Sequence, residues 1–325
     1  MNPPLLEVAG LDVFYAPLDE EPRRHIVRDV SFSVSTGQRL GLVGESGAGK
    51  STTLYALLGL LPGNAEISGR IAFEGVDVLA AGHSGLVALR GHGIALVTQS
   101  AMNALNPVHR IGRQLREAMP SGGRGRAARR ARVDELLDRV GLPPSVARRY
   151  PHELSGGMRQ RVAIAIALAS EPKLLLADEA TTALDTVVQA RVVELLHELC
   201  TELDLAIVFA SHHLALVAQL CDTLATMYAG RIVELGPTEQ IRDEPQHPYT
   251  RLLFEATPDL GERKEHLRSI PGAPPPLSDV LPGCSFEPRC PRAVEGCRVR
   301  NPAVEPASHG GEVACLRPER VEVHG

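Results

Sequence analysis

Gly44-Glu45-Ser46-Gly47-Ala48-Gly49-Lys50-Ser51 fills every fixed position of the pattern G-x-x-x-x-G-K-[ST]. A short apolar strand, Leu40 to Val43, runs into it. A helix-compatible stretch from Lys50 to Leu61 leaves it, closed by Pro62-Gly63. Phosphate binding needs that strand, turn and helix setting. The glycines let the backbone turn so that successive N–H groups face phosphate oxygens. The helix behind the turn adds the positive end of its dipole. Lys50 brings a point charge to the β- and γ-phosphates, and the Ser51 hydroxyl is a ligand for Mg²⁺. Thr52 continues the same turn. Lys50, Lys173 and Lys264 are the lysines among 34 basic residues. A lysine at the fixed position of the motif therefore carries weight.

On either side of the loop the pattern changes in a way that divides the chain. The first 35 residues alternate apolar and polar side chains, as in Val30-Ser31-Phe32-Ser33-Val34, which predicts half-buried antiparallel strands. Ile67 to Phe73 returns to that alternation, and Ile94 to Val97 reads as a buried strand. Between about 100 and 170 the segments Ile111–Met119, Ala127–Val140 and Gly157–Ala169 read as helices, broken at Ser121-Gly122-Gly123 and at Gly141-Leu142-Pro143-Pro144. Arginines crowd this stretch, and they read as solvated helix faces, with contact to an anionic lipid or a partner as the alternative. Strands Leu174–Ala177, Leu205–Ala210 and Leu224–Met227 then alternate with helices Val187–Leu203 and His213–Leu220. That order builds a parallel sheet covered by helices. From Pro258 the character changes: Pro271 to Pro282 is a proline-rich linker leading into a tail poor in long apolar side chains.

Two further segments extend the phosphate chemistry. Leu174-Leu175-Leu176-Ala177-Asp178-Glu179 is a buried strand ending in two carboxylates. Asp178 suits the acidic group that holds Mg²⁺ through water, and Glu179 is placed to orient or deprotonate an attacking water. Leu154-Ser155-Gly156-Gly157-Met158-Arg159-Gln160 is a small-residue turn opening a helix, a second anion site. One chain with one phosphate loop has no evident need of it, so it reads as serving another chain's nucleotide.

Composition sets limits. The chain has 325 residues, a formal charge of −5, 44% apolar and 22% charged residues, as expected of a globular protein with one large domain or a core plus an appendage. The longest apolar run, Val162 to Ala169, is too short to cross a bilayer. The N-terminus shows neither the basic nor the apolar region of a secretory signal. The acidic balance argues against nucleic-acid binding. Cys284, Cys290, Cys297 and Cys315, separated by five, six and seventeen residues, form a clustered set, while Cys200 and Cys221 are scattered. In a reducing compartment four clustered thiols read as a metal site before disulfides. They suit Zn²⁺ or an iron–sulfur cluster, and the absence of paired C-x₂-C knuckles tilts the choice to iron–sulfur.

The loop at Gly44–Ser51, the turn at Leu154–Gln160, the Asp178-Glu179 strand end, Ala183-Leu184-Asp185 and His212 occur in the order found in ABC-transporter ATPases, and residues 5 to 257 resemble that family. The resemblance implies an α/β fold: a P-loop (RecA-like) parallel sheet core, an N-terminal antiparallel β subdomain, an inserted helical subdomain at about 100–165, and a small irregular cysteine-rich extension. It implies an ATPase domain over 1–257 and the extension over 258–325. It implies a head-to-tail dimer with ATP between one subunit's P-loop and the other's Ser155, Gly156, Gly157 and Gln160. Tyr15 falls where the family stacks an aromatic on adenine, with Phe14 the neighbouring candidate. Gln99 matches the Mg²⁺-sensing glutamine, Asp185 the D-loop aspartate, and His212 the switch histidine. Lys50 and His212 then stabilise transferring charge, Glu179 positions the water, and Ser51, Gln99 and Asp178 hold Mg²⁺. Ala180 replaces the usual proline after the glutamate, and His213 the usual aspartate after the histidine.

Asn103-Ala104-Leu105-Asn106-Pro107 with Ile111-Gly112, His247-Pro248-Tyr249-Thr250-Arg251-Leu252-Leu253, and the cysteine tail look like the oligopeptide/dipeptide importer branch. That branch implies a second ATPase subunit (a paralogue, or this chain itself), two transmembrane permease subunits, an extracytoplasmic solute-binding protein, and a place on the cytoplasmic face of the inner membrane. It also implies a [4Fe–4S] cluster on the tail cysteines. Two alternatives stay open: the same ATPase for another small cargo such as a nickel chelate, and an accessory ATPase of a soluble complex for carbon–phosphorus bond cleavage.

Overall fold

The computed structural model describes residues 3–16, 23–98, 104–120, 125–181, 185–257, 269–277, 281–308 and 310–318. The chain forms two compact units, one of residues 1–80 with 210–325, the other of residues 81–209.

The first unit holds an antiparallel sheet in which Leu6–Tyr15 lies between Arg24–Val34 and Ala65–Phe73. The alternation read from the sequence is the reason: Leu6, Val8, Val30, Phe32 and Val34 are buried on one face. A second set of strands carries the phosphate loop. Arg39–Val43 pairs in parallel with Thr223–Tyr228, which pairs antiparallel with Arg231–Pro237, which pairs antiparallel with Glu312–Val313. The sheet is therefore mixed, where the sequence predicts parallel strands. Its antiparallel part starts at the two-residue turn Ala229-Gly230, both at positive φ (48° and 85°), which reverses the chain without a crossover helix. Helix Lys50–Leu57 ends four residues before the expected stop. Gly59 N–H donates to the Ala56 carbonyl and Leu60 N–H to the Tyr55 carbonyl, a glycine-centred cap that closes the helix ahead of Pro62.

In the second unit Ile94–Val97 pairs in parallel with Leu174–Asp178. Leu174 to Ala177 have no solvent exposure, as a strand covered on both faces requires. Helices Ile111–Ala118, Arg126–Arg139 and Gly156–Leu168 appear within one or two residues of their expected ends. The first two close over the 3₁₀ turn Pro144–Arg148 through Ile111, Leu115, Val133, Leu136 and Val146. Helix Gly82–His92 is an addition that the sequence reading does not contain. Part of the arginine excess is tied to helix-face carboxylates: Arg113 to Glu117 (2.7 Å), Arg132 and Arg139 to Glu135 (2.5 and 3.0 Å). Among the described residues no helix is long and apolar enough to cross a membrane.

Candidate functional site

The phosphate loop sits between Arg39–Val43 and Lys50–Leu57. Gly44 and Gly49 stand at φ 154° and 101°. A Cβ on Gly44 would lie 2.2 Å from the Met227 carbonyl oxygen, and one on Gly49 would lie 3.0 Å from that of Ile26, so neither position admits a side chain. Ala48 N–H donates to the Glu45 carbonyl (3.1 Å), which closes the turn. The Lys50 ammonium is buried and donates to the Gly44 and Glu45 carbonyls at 2.7 and 3.1 Å. It is thus held over the mouth of its own loop, where the phosphates of a nucleotide would lie. Ser51 and Thr52 follow in the first turn of the helix, and Ser46 and Gly47 form the outer bend. The Thr53 hydroxyl donates to the Gly49 carbonyl (3.0 Å) and ties the helix start to the loop.

Glu45 has partners that no local pattern announces. Its N–H donates to the Tyr249 hydroxyl (2.8 Å), and its carboxylate takes a two-pronged hydrogen bond from Arg289 (2.7 and 2.9 Å). Tyr249 belongs to the His247–Leu253 segment noted in the sequence, but Arg289 does not stand out there. It lies 244 residues away, beside Cys290.

Tyr15 ends strand Leu6–Tyr15 and is partly exposed. Phe14 is stacked on His25 (ring centroids 3.8 Å apart) beneath the Arg23 guanidinium, so its ring is already covered. Of the two adjacent aromatics, Tyr15 is the one left for a base. His212 is exposed before helix Leu214–Leu220, its ring 4.1 Å from that of His213. An aspartate at 213 would cap that helix, whereas His213 makes no side-chain cap bond; its N–H donates to the Ser211 hydroxyl (3.0 Å).

In the other unit Asp178 is buried at the end of its strand. Glu179 follows at φ 46°, a left-handed conformation that costs a non-glycine residue energy and is held only where the surroundings impose it. Ser155 caps helix Gly156–Leu168 by accepting the Met158 N–H (3.3 Å). Gly157 is needed for fit, since a Cβ there would lie 2.8 Å from Val188. Gln160 is buried, and its side-chain nitrogen has no hydrogen-bond partner among the described residues. Asp185 caps helix Thr186–Leu203 by accepting the Val188 N–H (3.0 Å). Gln99, Asn103, Ala183 and Leu184 lie outside the described residues.

His247 is fully buried. Its Nδ1 accepts the Tyr249 N–H (3.1 Å), and its backbone N–H donates to the Glu234 carboxylate (3.1 Å). Burial pushes its pKa from 6.5 down to about 4, against the pull of Glu234. Between those values the unfolded chain binds a proton that the folded chain refuses, so stability is complete above pH 6.5 and falls as pH drops towards 4. The loss amounts to roughly 3 kcal/mol. Melting temperature measured from pH 7 to pH 4.5 should fall less steeply in His247→Gln than in the unsubstituted protein. Equal slopes would mean that His247 does not set this pH dependence.

Cys284, Cys290, Cys297 and Cys315 line one small cavity of about 20 Å³ beside Phe286. All are free thiols. Cys284 N–H donates to the Cys297 carbonyl (2.8 Å), which draws the two loops together. Burial raises the Cys284 and Cys290 thiols and pushes Cys315 up to about 11. Among the described residues no group of three or more His, Cys, Asp or Glu side chains is arranged to hold a metal ion. The expected [4Fe–4S] cluster, and Zn²⁺ in its place, thus finds its four cysteines gathered but not set as ligands.

Residues 27–182 match the family described as ABC transporter, and residues 233–297 match the oligopeptide/dipeptide transporter C-terminal region. The chain is 44% identical to the oligopeptide transport ATP-binding protein OppD of Haemophilus influenzae, over 95% of this chain and 96% of that protein. It is 41% identical to the dipeptide transport ATP-binding protein DppD of Escherichia coli, over 97% of each. Among solved structures it resembles a dimeric ATP-binding cassette in a post-hydrolysis state bound to ADP and Pi, with TM-score 0.64 and 25% identity, over 72% of this chain and 98% of that one. The match extends from the antiparallel strands through the phosphate loop into the cysteine-bearing tail, and on that breadth the chain belongs to the ATP-hydrolysing subunits of ABC transporters, in the oligopeptide/dipeptide branch.

Proposed function

We propose that this chain powers the import of di- and oligopeptides, working as one half of a nucleotide-sandwich dimer seated on two transmembrane permease subunits. The observation that carries the reading is the pairing, in one unit, of a complete phosphate loop with a C-terminal segment matching the oligopeptide/dipeptide transporters. Peptide and dipeptide transport are named for relatives that the chain matches over nearly its whole length. The ATPase domain is taken as residues 1–257, with its helical part at about 100–165, and the extension as 258–325. The permeases place the chain at the cytoplasmic face of the inner membrane, and an extracytoplasmic binding protein delivers the cargo. The dimer partner is a second ATPase subunit, a paralogue or an identical chain.

In this reading the loop N–H groups and Lys50 bind the β- and γ-phosphates, and Tyr15 stacks on adenine. Ser51, Asp178 and Gln99 are the residues that would hold Mg²⁺, which supplies charge neutralisation at the phosphates. Glu179 orients water for in-line attack on the γ-phosphate, and His212 with Lys50 stabilises the charge that develops on its oxygens. Ser155, Gly156, Gly157 and Gln160 close over the partner's nucleotide, with Asp185 at the junction. Asp185 also caps its helix, so Asp185→Ala should cost about 1 kcal/mol in stability besides any effect on turnover. Chemical denaturation checks the first effect separately from the second.

The finer reading of the tail is a [4Fe–4S] cluster on Cys284, Cys290, Cys297 and Cys315, with Zn²⁺ as the alternative. Four free thiols around one cavity support it. Anaerobically purified protein should be brown and contain iron and sulfide. Colourless protein with stoichiometric zinc contradicts the cluster and leaves zinc.

Purification of the intact complex separates transport from its rivals. Co-purifying integral membrane proteins and a peptide bound to the associated binding protein support this reading. A bound nickel chelate would redirect the cargo, and a soluble assembly would favour the carbon–phosphorus alternative.

A further inference from the structure

Glu45 is an acid inside a loop that receives a polyanion. A carboxylate at that position repels incoming phosphates unless its charge is met. In this structure it is met from the far end of the chain. Arg289 donates through Nη1 to Oε2 (2.7 Å) and through Nη2 to Oε1 (2.9 Å), a planar fork on a planar carboxylate. Its Nε donates to the Pro271 carbonyl (2.7 Å), and Nη1 also reaches the Tyr228 hydroxyl (3.2 Å). The Arg289 side chain is 5% exposed and that of Glu45 25%. The rings of Tyr228 and Phe286 lie 5.7 and 6.0 Å from the guanidinium and shield it from water. Tyr249, packed on both rings, holds the Glu45 N–H. Lys50 in turn is anchored on the Gly44 and Glu45 carbonyls, so a displacement of Glu45 would move the anchors of the lysine that meets the phosphates.

We propose that Arg289, assisted by Tyr249, is a positioning residue of the nucleotide site: it neutralises Glu45 and fixes the phosphate-loop turn, which makes the cysteine-bearing segment a working part of ATP binding. This rests on the reading of the phosphate loop as the ATP site. The fork demands arginine, because a lysine offers one point charge and cannot meet both carboxylate oxygens in the same plane. Arg289 adjoins Cys290, so whatever the four cysteines hold would be felt at Glu45 through one residue.

The test measures MgATP affinity, kcat and melting temperature in the full-length chain for Arg289→Ala, Arg289→Lys and the double variant Arg289→Ala/Glu45→Gln. Arg289→Ala should weaken ATP binding about tenfold or more while kcat at saturating ATP changes less than about twofold. Arg289→Lys should fall between. The double variant should return to within about threefold of the unsubstituted affinity, since no half-buried carboxylate then stands unpaired. An Arg289→Ala protein that melts cooperatively and binds ATP normally overturns the proposal, as does a double variant no better than Arg289→Ala. Should Arg289→Ala fail to fold, Arg289→Lys and the double variant decide: normal affinity in the first or no binding in a folded double variant contradicts it. Lys50→Ala run alongside separates the levels. If it too binds ATP normally, the ATP-site reading fails, whereas a silent Arg289→Ala beside a defective Lys50→Ala sinks this inference alone.

Discussion

Glu179→Gln is expected to stop turnover while leaving ATP bound and the dimer closed. The amide keeps the size and hydrogen-bonding reach of the carboxylate but cannot take a proton from water. Loss of a positioned base costs roughly 10²–10⁴-fold in rate. The backbone supports this assignment: Glu179 is held at φ 46° directly after a fully buried strand, and such strain gathers at functional positions. Phosphate release should vanish in the variant, and size-exclusion chromatography with ATP should show the dimer. Normal hydrolysis would mean that another group activates the water.

Lys50→Ala is expected to weaken nucleotide binding itself. The ammonium is buried and already satisfied by two loop carbonyls, so it is placed before any nucleotide arrives. Its loss forfeits a charge-assisted contact worth about 3 kcal/mol, roughly a hundredfold in affinity. Lys50→Arg should not restore it, because the wider guanidinium does not fit between the Gly44 and Glu45 carbonyls as a point charge does. Direct titration with MgATP checks both variants. Unchanged affinity in Lys50→Ala would remove the loop from the nucleotide site.

Much of this was legible because it is local. Alternation over the first 35 residues predicts antiparallel strands there, and the structure has Leu6–Tyr15 and Arg24–Val34; the apolar run at Leu174 ends on Asp178 as read. Ser155 sits in a turn that reads as opening a helix and does cap one, whereas the cap by Asp185 is visible only in the structure. The rest depends on pairings across long sequence separations. The antiparallel turn at Ala229-Gly230 carries none of the Asn-Gly or Asp-Gly signal that marks such turns, so Arg231–Pro237 was not foreseen. Helix Gly82–His92 contains two internal glycines and few strong helix formers, and its sequence does not declare it. Arg289 could not be found from its neighbours, because its role is set by a carboxylate 244 residues earlier. All four tail cysteines line one cavity, and burial, which spacing does not set, raises the Cys315 thiol.

ATP hydrolysis by this chain drives peptide across a membrane. ATPase activity of the complete transporter in proteoliposomes, measured with and without peptide-loaded binding protein, tests it most directly. Peptide-loaded binding protein should stimulate hydrolysis and peptide should accumulate, both abolished by Glu179→Gln. Hydrolysis indifferent to peptide but stimulated by another solute, or peptide uptake that persists in Glu179→Gln, would contradict it.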